Sequence, residues 1–132
     1  MSSERRVSPR MTEALQFKEV DSPARYAPST DKPVRYVTVA DRQGMILGYL
    51  WINDEDDAAD WQVRRAAGDE GYNKGSLWVS LLQDAKARGI TPAAALAEMI
   101  QNSDPAKSSH IVDEAPVDAP DLAYVVQVAD QD

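Results

Sequence analysis

The sequence predicts an α+β fold, a small antiparallel β-sheet packed against two or three helices. Three observations predict it. Val34 to Ala40 reads VRYVTVA and Met45 to Ile52 reads MILGYLWI, two runs rich in β-branched and aromatic residues. Between them stands Asp41-Arg42-Gln43-Gly44, where the glycine suits the left-handed conformation that closes a short hairpin loop. Downstream of Asn53 the apolar spacing changes from two residues to three and four, the helical period.

Taken in order, residues 1–13 are polar, with Ser2, Ser3, Ser8 and Pro9 and no period, and a disordered start is expected. Over 14–20, Leu15 and Phe17 alternate with Gln16 and Lys18, a strand signal that soon meets Pro23, Pro28 and Pro33. The central hairpin then spans 34–52, and Gly48 inside its second strand marks a bulge or a close approach by another element. Asn53 is a competent N-cap, Asp54, Glu55 and Asp56 fill a first turn, and Arg64 and Arg65 precede Gly68. A helix over 54–67 follows from that pattern. Residues 68–76 hold Gly68, Gly71 and Gly75 and read as a mobile loop. Leu77, Leu81 and Ala85, flanked by Trp78 and Leu82, place a second helix over 76–88, stopped by Gly89 with Ile90 as its hydrophobic contact. Thr91 caps a third helix over 92–102, with Pro92 at its first position and Leu96, Met99 and Ile100 on its buried side. The single domain therefore runs over 14–102. Ser, Asp and Pro make 103–121 a flexible linker, and in the tail, 122–132, Leu122, Tyr124, Val126 and Val128 alternate. That alternation favours an edge strand over 122–128, with a tether that folds on a partner as the other reading.

Length and charge bound the function. One domain fits 132 residues; the absence of Cys excludes disulfides and thiolate metal sites and fits a reducing compartment. No apolar run approaches the roughly 18 residues of a membrane span, so a soluble, cytoplasmic protein without membrane contact is expected. A formal charge of −8 argues against a general nucleic-acid binder, which needs clustered Lys and Arg. The charge is local. Residues 53–71 carry seven acidic and two basic side chains, and 104–132 carry seven and one.

The first of those blocks supplies the leading candidate site. Asp54, Glu55, Asp56, Asp57 and Asp60, with Trp61 as an exposed interface anchor, form an anionic patch for a basic protein partner. The plainer reading is that acids in a first turn complement the helix dipole. A calcium loop does not fit, because NDEDDAAD lacks the required spacing and its turn glycine. Tyr49, Trp51, Trp61, Tyr72 and Trp78 crowd into 49–78, which core packing explains as readily as a site.

A second candidate is the glycine stretch, whose Tyr72, Asn73, Lys74 and Ser76 suit an anion or small molecule at a helix start. It is not a phosphate-binding loop, since Lys74-Gly75-Ser76 has Lys and Gly in the wrong order. The third candidate is a transcription regulator built on the 77–102 helical hairpin. Its would-be recognition helix, PAAALAEMIQN, has no Lys or Arg to read a base edge. His110 lies among Ser and Asp in the expected linker and reads as solvated. No catalytic residue, cofactor or metal site is predicted.

The run LGYLWINDEDDAADW, followed by LWVSLLQDAKARGITPAAAL, resembles uncharacterised small acidic actinobacterial proteins over about the middle half of the chain. That resemblance implies a cytoplasmic protein of high-GC bacterial origin and carries no site residue over. The leading expectation is a non-enzymatic interaction domain, immunity-like or inhibitor-like, whose acids steer a basic partner to it.

Overall fold

A computed structural model describes residues 24–131, so the disorder expected over 1–13 and the strand expected over 14–20 lie outside the described residues. The elements are β1 (Val34–Ala40), β2 (Ile46–Asn53), β3 (Ala58–Val63), a 3-10 turn (Arg65–Ala67), α1 (Gly68–Ala87), α2 (Pro92–Gln101), β4 (His110–Ile111), β5 (Val117–Ala119) and α3 (Leu122–Ala129). The strands form one antiparallel sheet in the order β3-β2-β1, with β4 and β5 sharing the outer edge of β1. The fold is α+β, built around the hairpin that the sequence predicts.

Local chemistry sets the hairpin. Asp41 Oδ1 accepts from the backbone N–H groups of Gln43 and Met45, each at 2.9 Å, and Gly44 takes φ 88°. Pairing moves from Val39 with Gly48 to Ala40 with Ile46, leaving Leu47 as the extra residue of a bulge. Alternation then sends Val37, Val39, Leu50, Ile52 and Ala59 to one face, where they meet Trp78, Leu82, Leu96 and Met99 of α1 and α2. Val34, Tyr49, Trp51 and Ala58 face the other way and pack with Ala119 and with Val125 and Ala129 of α3. Because helices cover both faces, β2 is apolar on both sides, which is why ILGYLWI runs almost without a polar residue.

Four expected elements differ. The stretch expected as a helix over 54–67 is a tight turn followed by β3. Asn53 does cap, its Oδ1 accepting from Asp56 N–H at 2.7 Å, but the bond closes a hairpin turn instead of opening a helix. Asp57 at φ 52° then reverses the chain, and Ala59, Trp61 and Val63 follow at strand spacing.

The expected loop over 68–76 is the first half of α1. Two of its glycines, Gly71 and Gly75, are close-packing positions, while Gly68 takes φ 57° in open space: a Cβ on Gly71 would lie 2.7 Å from Val63 Cγ2 and 2.9 Å from the Leu47 carbonyl oxygen. Gly at helix-interior positions costs about 1 kcal/mol against Ala, and here it allows the helix backbone to approach the sheet.

The segment expected as a flexible linker over 103–121 carries β4 and β5 and is fastened to β1. Thr38 donates its N–H to Asp113 Oδ2 at 2.6 Å and accepts Val112 N–H at 3.0 Å through its carbonyl. His110, expected in solvent, pairs with Ala40, and its Nδ1 is buried without a partner among the described residues. The edge strand expected over 122–128 is α3. Asp121 Oδ1 caps it by accepting Tyr124 N–H at 2.9 Å, and Val125 and Ala129, one turn apart, are the buried pair. The C-terminus of α1 and the start of α2 agree with the sequence: Gly89 has φ 80°, and Thr91 Oγ1 accepts Ala94 N–H at 3.1 Å with Pro92 at the first helical position.

Candidate functional site

At the acidic hairpin tip, almost every carboxylate has a partner within the molecule. Asp54 Oδ1 accepts the Ala93 N–H at 2.7 Å, capping α2 from outside. Asp56 accepts from Lys32 Nζ at 2.5 Å and Thr30 Oγ1 at 2.6 Å. Those two bonds, Lys32's first, hold the Asp56 carboxyl below the usual carboxylate range. Asp57 is paired with Lys86 of α1, and Asp60 Oδ1 accepts the Trp61 N–H at 2.8 Å. Glu55 differs: its side chain is 73% exposed and approaches Lys32 only at 4.0 Å. The cluster therefore ties the β2–β3 turn to the 30–32 segment, to α1 and to α2.

Trp61 sits on β3, half-buried, and is not the exposed anchor expected of it. Its indole lies between two glycines of different elements, since a Cβ on Gly48 or on Gly75 would overlap the ring. Its Nε1 is buried and has no partner among the described residues. The second candidate set lies in the first turns of α1, with Tyr72 67% exposed, Asn73 and Ser76 exposed and Lys74 half-buried. Tyr72 borders a recess of about 290 Å³ with Arg64, Arg65 and Asp130; Asn73, Lys74 and Ser76 do not line it. In the helical hairpin, the exposed positions of α2 include Ala94, Ala97 and Gln101, none of them a cation.

The structure brings together a site that the sequence reading missed. α1, α2 and the 103–109 segment enclose a cleft of about 300 Å³. Buried Trp78, Ala85, Ala95 and Met99 form its apolar wall, while Leu77 and Leu81 of α1 stay 52% and 40% exposed. Trp78 Nε1 donates to the buried Ser109 Oγ at 3.1 Å, joining the helix to the segment read as a linker. On the rim, Arg88 grips Glu98 through two bonds of 2.6 and 3.2 Å and reaches Asp84 at 3.2 Å. The Arg88 guanidinium holds the Glu98 carboxyl below its usual range. Lys107 and Asp104 line the cleft from the 103–109 segment.

One signal for this cleft was available. Leu77, Trp78, Leu81, Leu82 and Ala85 cover a wider arc of α1 than one neighbour can bury. Only Trp78, Leu82 and Ala85 are fully buried, and the two leucines are left over.

Among the described residues no group of three or more His, Asp or Glu is placed to hold a metal ion, and no helix is long and apolar enough to cross a membrane. No protein-family model matches the chain, and no curated protein or solved structure matches it.

Proposed function

We propose that the chain is a non-enzymatic binding domain that takes a small amphipathic molecule in the cleft between α1, α2 and the 103–109 segment. The observation that carries this reading is Leu77 and Leu81, two leucines left half-exposed at a concave apolar wall ringed by polar groups. Concavity, an apolar wall and a few fixed polar groups are what a small-molecule site requires. The rim suits binding better than proton transfer, because Arg88 holds the carboxylates of both Asp84 and Glu98 in ion pairs. Titration of the full chain with 8-anilino-1-naphthalenesulfonate, followed by a metabolite panel, tests it. Saturable dye binding that weakens at least tenfold in Leu81→Asp is expected; equal binding by the variant, or none by the parent chain, overturns the reading.

A second reading keeps the acidic tip as a surface for a basic protein partner, in the manner of an immunity or inhibitor protein. Its support is Glu55, exposed at the apex and only loosely paired. Glu55→Lys leaves the internal bonds of Asp54, Asp56 and Asp57 in place, so it tests the surface without loosening the turn. A fall in capture of a basic protein as ionic strength rises, deepened by this substitution, supports the reading; no change with either removes it.

A further inference from the structure

The charged groups around the same cleft select its ligand. We propose that it takes a short amphipathic monoanion, a medium-chain or aryl carboxylate, whose head is received by Lys107. The inference rests on the small-molecule reading of the cleft and adds to it the sign and place of the head group. Five ionisable side chains line the cleft: Asp84, Glu98, Asp104, Arg88 and Lys107. Taken as a mean field, three carboxylates against two cations would favour a cationic ligand. The pairing within the rim reverses that expectation.

Four of the five are engaged by the fold. Arg88 donates through Nε to Asp84 and through both terminal nitrogens to Glu98, so its fork and both carboxylates belong to one network. Asp104 Oδ1 accepts the Ala106 N–H at 2.9 Å, and the Asp104 carbonyl accepts the Lys107 N–H at 3.0 Å, which closes a tight turn. Lys107 is the group left over. No carboxylate among the described residues lies within 4.0 Å of its ammonium, and the side chain is exposed.

Position supports the same head group. Lys107 stands two residues before Ser109, whose hydroxyl holds Trp78, so it rises from the wall beside the open Leu77 and Leu81. Arg88 lies seven residues past Leu81, about 10 Å along α1. A tail on the two leucines therefore brings its head to Lys107, away from the Asp84 and Glu98 network. One compact ammonium with Asp104 on its turn suits a monoanion and offers too few donors for a phosphate dianion. A cleft of about 300 Å³ limits the tail to a short chain or a single ring system.

Calorimetric titration of the full chain with octanoate, octanol and octylammonium compares one tail under three heads. Octanoate is expected to bind about fivefold tighter than octanol, the upper range for an exposed ion pair, with octylammonium weakest. Lys107→Gln should erase the preference for octanoate and leave octanol binding unchanged, while Lys107→Arg should retain it. Tighter binding of octylammonium, equal binding of all three heads, or an octanoate preference that survives Lys107→Gln overturns the inference and leaves the apolar site standing. Binding of none of the three overturns the small-molecule reading and the inference with it.

Discussion

The acidic tip and the α1–α2 cleft are opposites. At the tip, a dense run of charge finds Lys32, Lys86, Thr30 and the first turn of α2 within the molecule and is largely consumed by holding the fold. At the cleft, two leucines that ordinary folding would cover remain open to solvent. The difference teaches where a site is to be sought in a small domain. Charge density shows where groups are concentrated, whereas function resides in groups that the fold leaves without a partner.

The largest expected effect sharpens the boundary between the two regions. Gly75→Val puts a branched side chain into the Trp61 ring and should cost about 3 kcal/mol in urea unfolding. A change within about 0.5 kcal/mol, the usual result at a surface position, would show that α1 begins later and that this stretch is the loop its composition suggests. Next comes the tip itself. Asp57→Val forces a β-branched residue to a positive φ and removes the Lys86 partner, with an expected loss of about 2 kcal/mol. Asp57→Gly relieves the backbone and should lose less than about 1 kcal/mol, so the pair of variants separates backbone strain from charge.

Acid should weaken both regions in the same direction. Asp56 and Glu98 have folded pKa values held down by Lys32 and by Arg88 respectively. Their contribution is complete above the ordinary carboxylate pKa of about 4 and is lost as pH falls through the lower folded values. Urea midpoints should therefore be flat from neutrality down to that range and decline below it. Asp56→Asn should flatten part of the decline; an unchanged slope would show that Asp56 keeps no such partner in solution. The smallest stability effect belongs to the cleft, where Leu81→Ser should cost less than about 1 kcal/mol while abolishing dye binding. A large loss of stability there would mean that the leucine is core and the cleft is closed.

What the sequence disclosed was chemistry that acts within a few residues. Gly44, Gly89, Thr91 and Pro92 sit where their conformational preferences place them, because a turn or cap is decided locally. The acidic stretch was misread because a side-chain cap looks the same at a helix start and in a hairpin turn: Asn53 accepts the N–H three residues on in either case. Ala58 to Val63 and Leu122 to Ala129 are too short for period alone to separate strand from helix. In the tail, Asp121 was the deciding signal, a cap that outweighs the alternation of Leu122, Tyr124, Val126 and Val128. Of the cleft only the wide apolar arc of α1 was legible; its closure depends on Ser109 returning to Trp78, a contact across 31 positions that no local pattern encodes.

The seating of Trp61 between Gly48 and Gly75 has a consequence for descent. Three positions from three elements share one volume, so a change at any of them is tolerated only when the others compensate. Chains that diverged from this one until their overall identity faded should still show a tryptophan with glycine thirteen residues before it and fourteen after. Where the tryptophan has shrunk, alanine should replace the glycines, because a smaller ring frees the space and the helix then gains a better former.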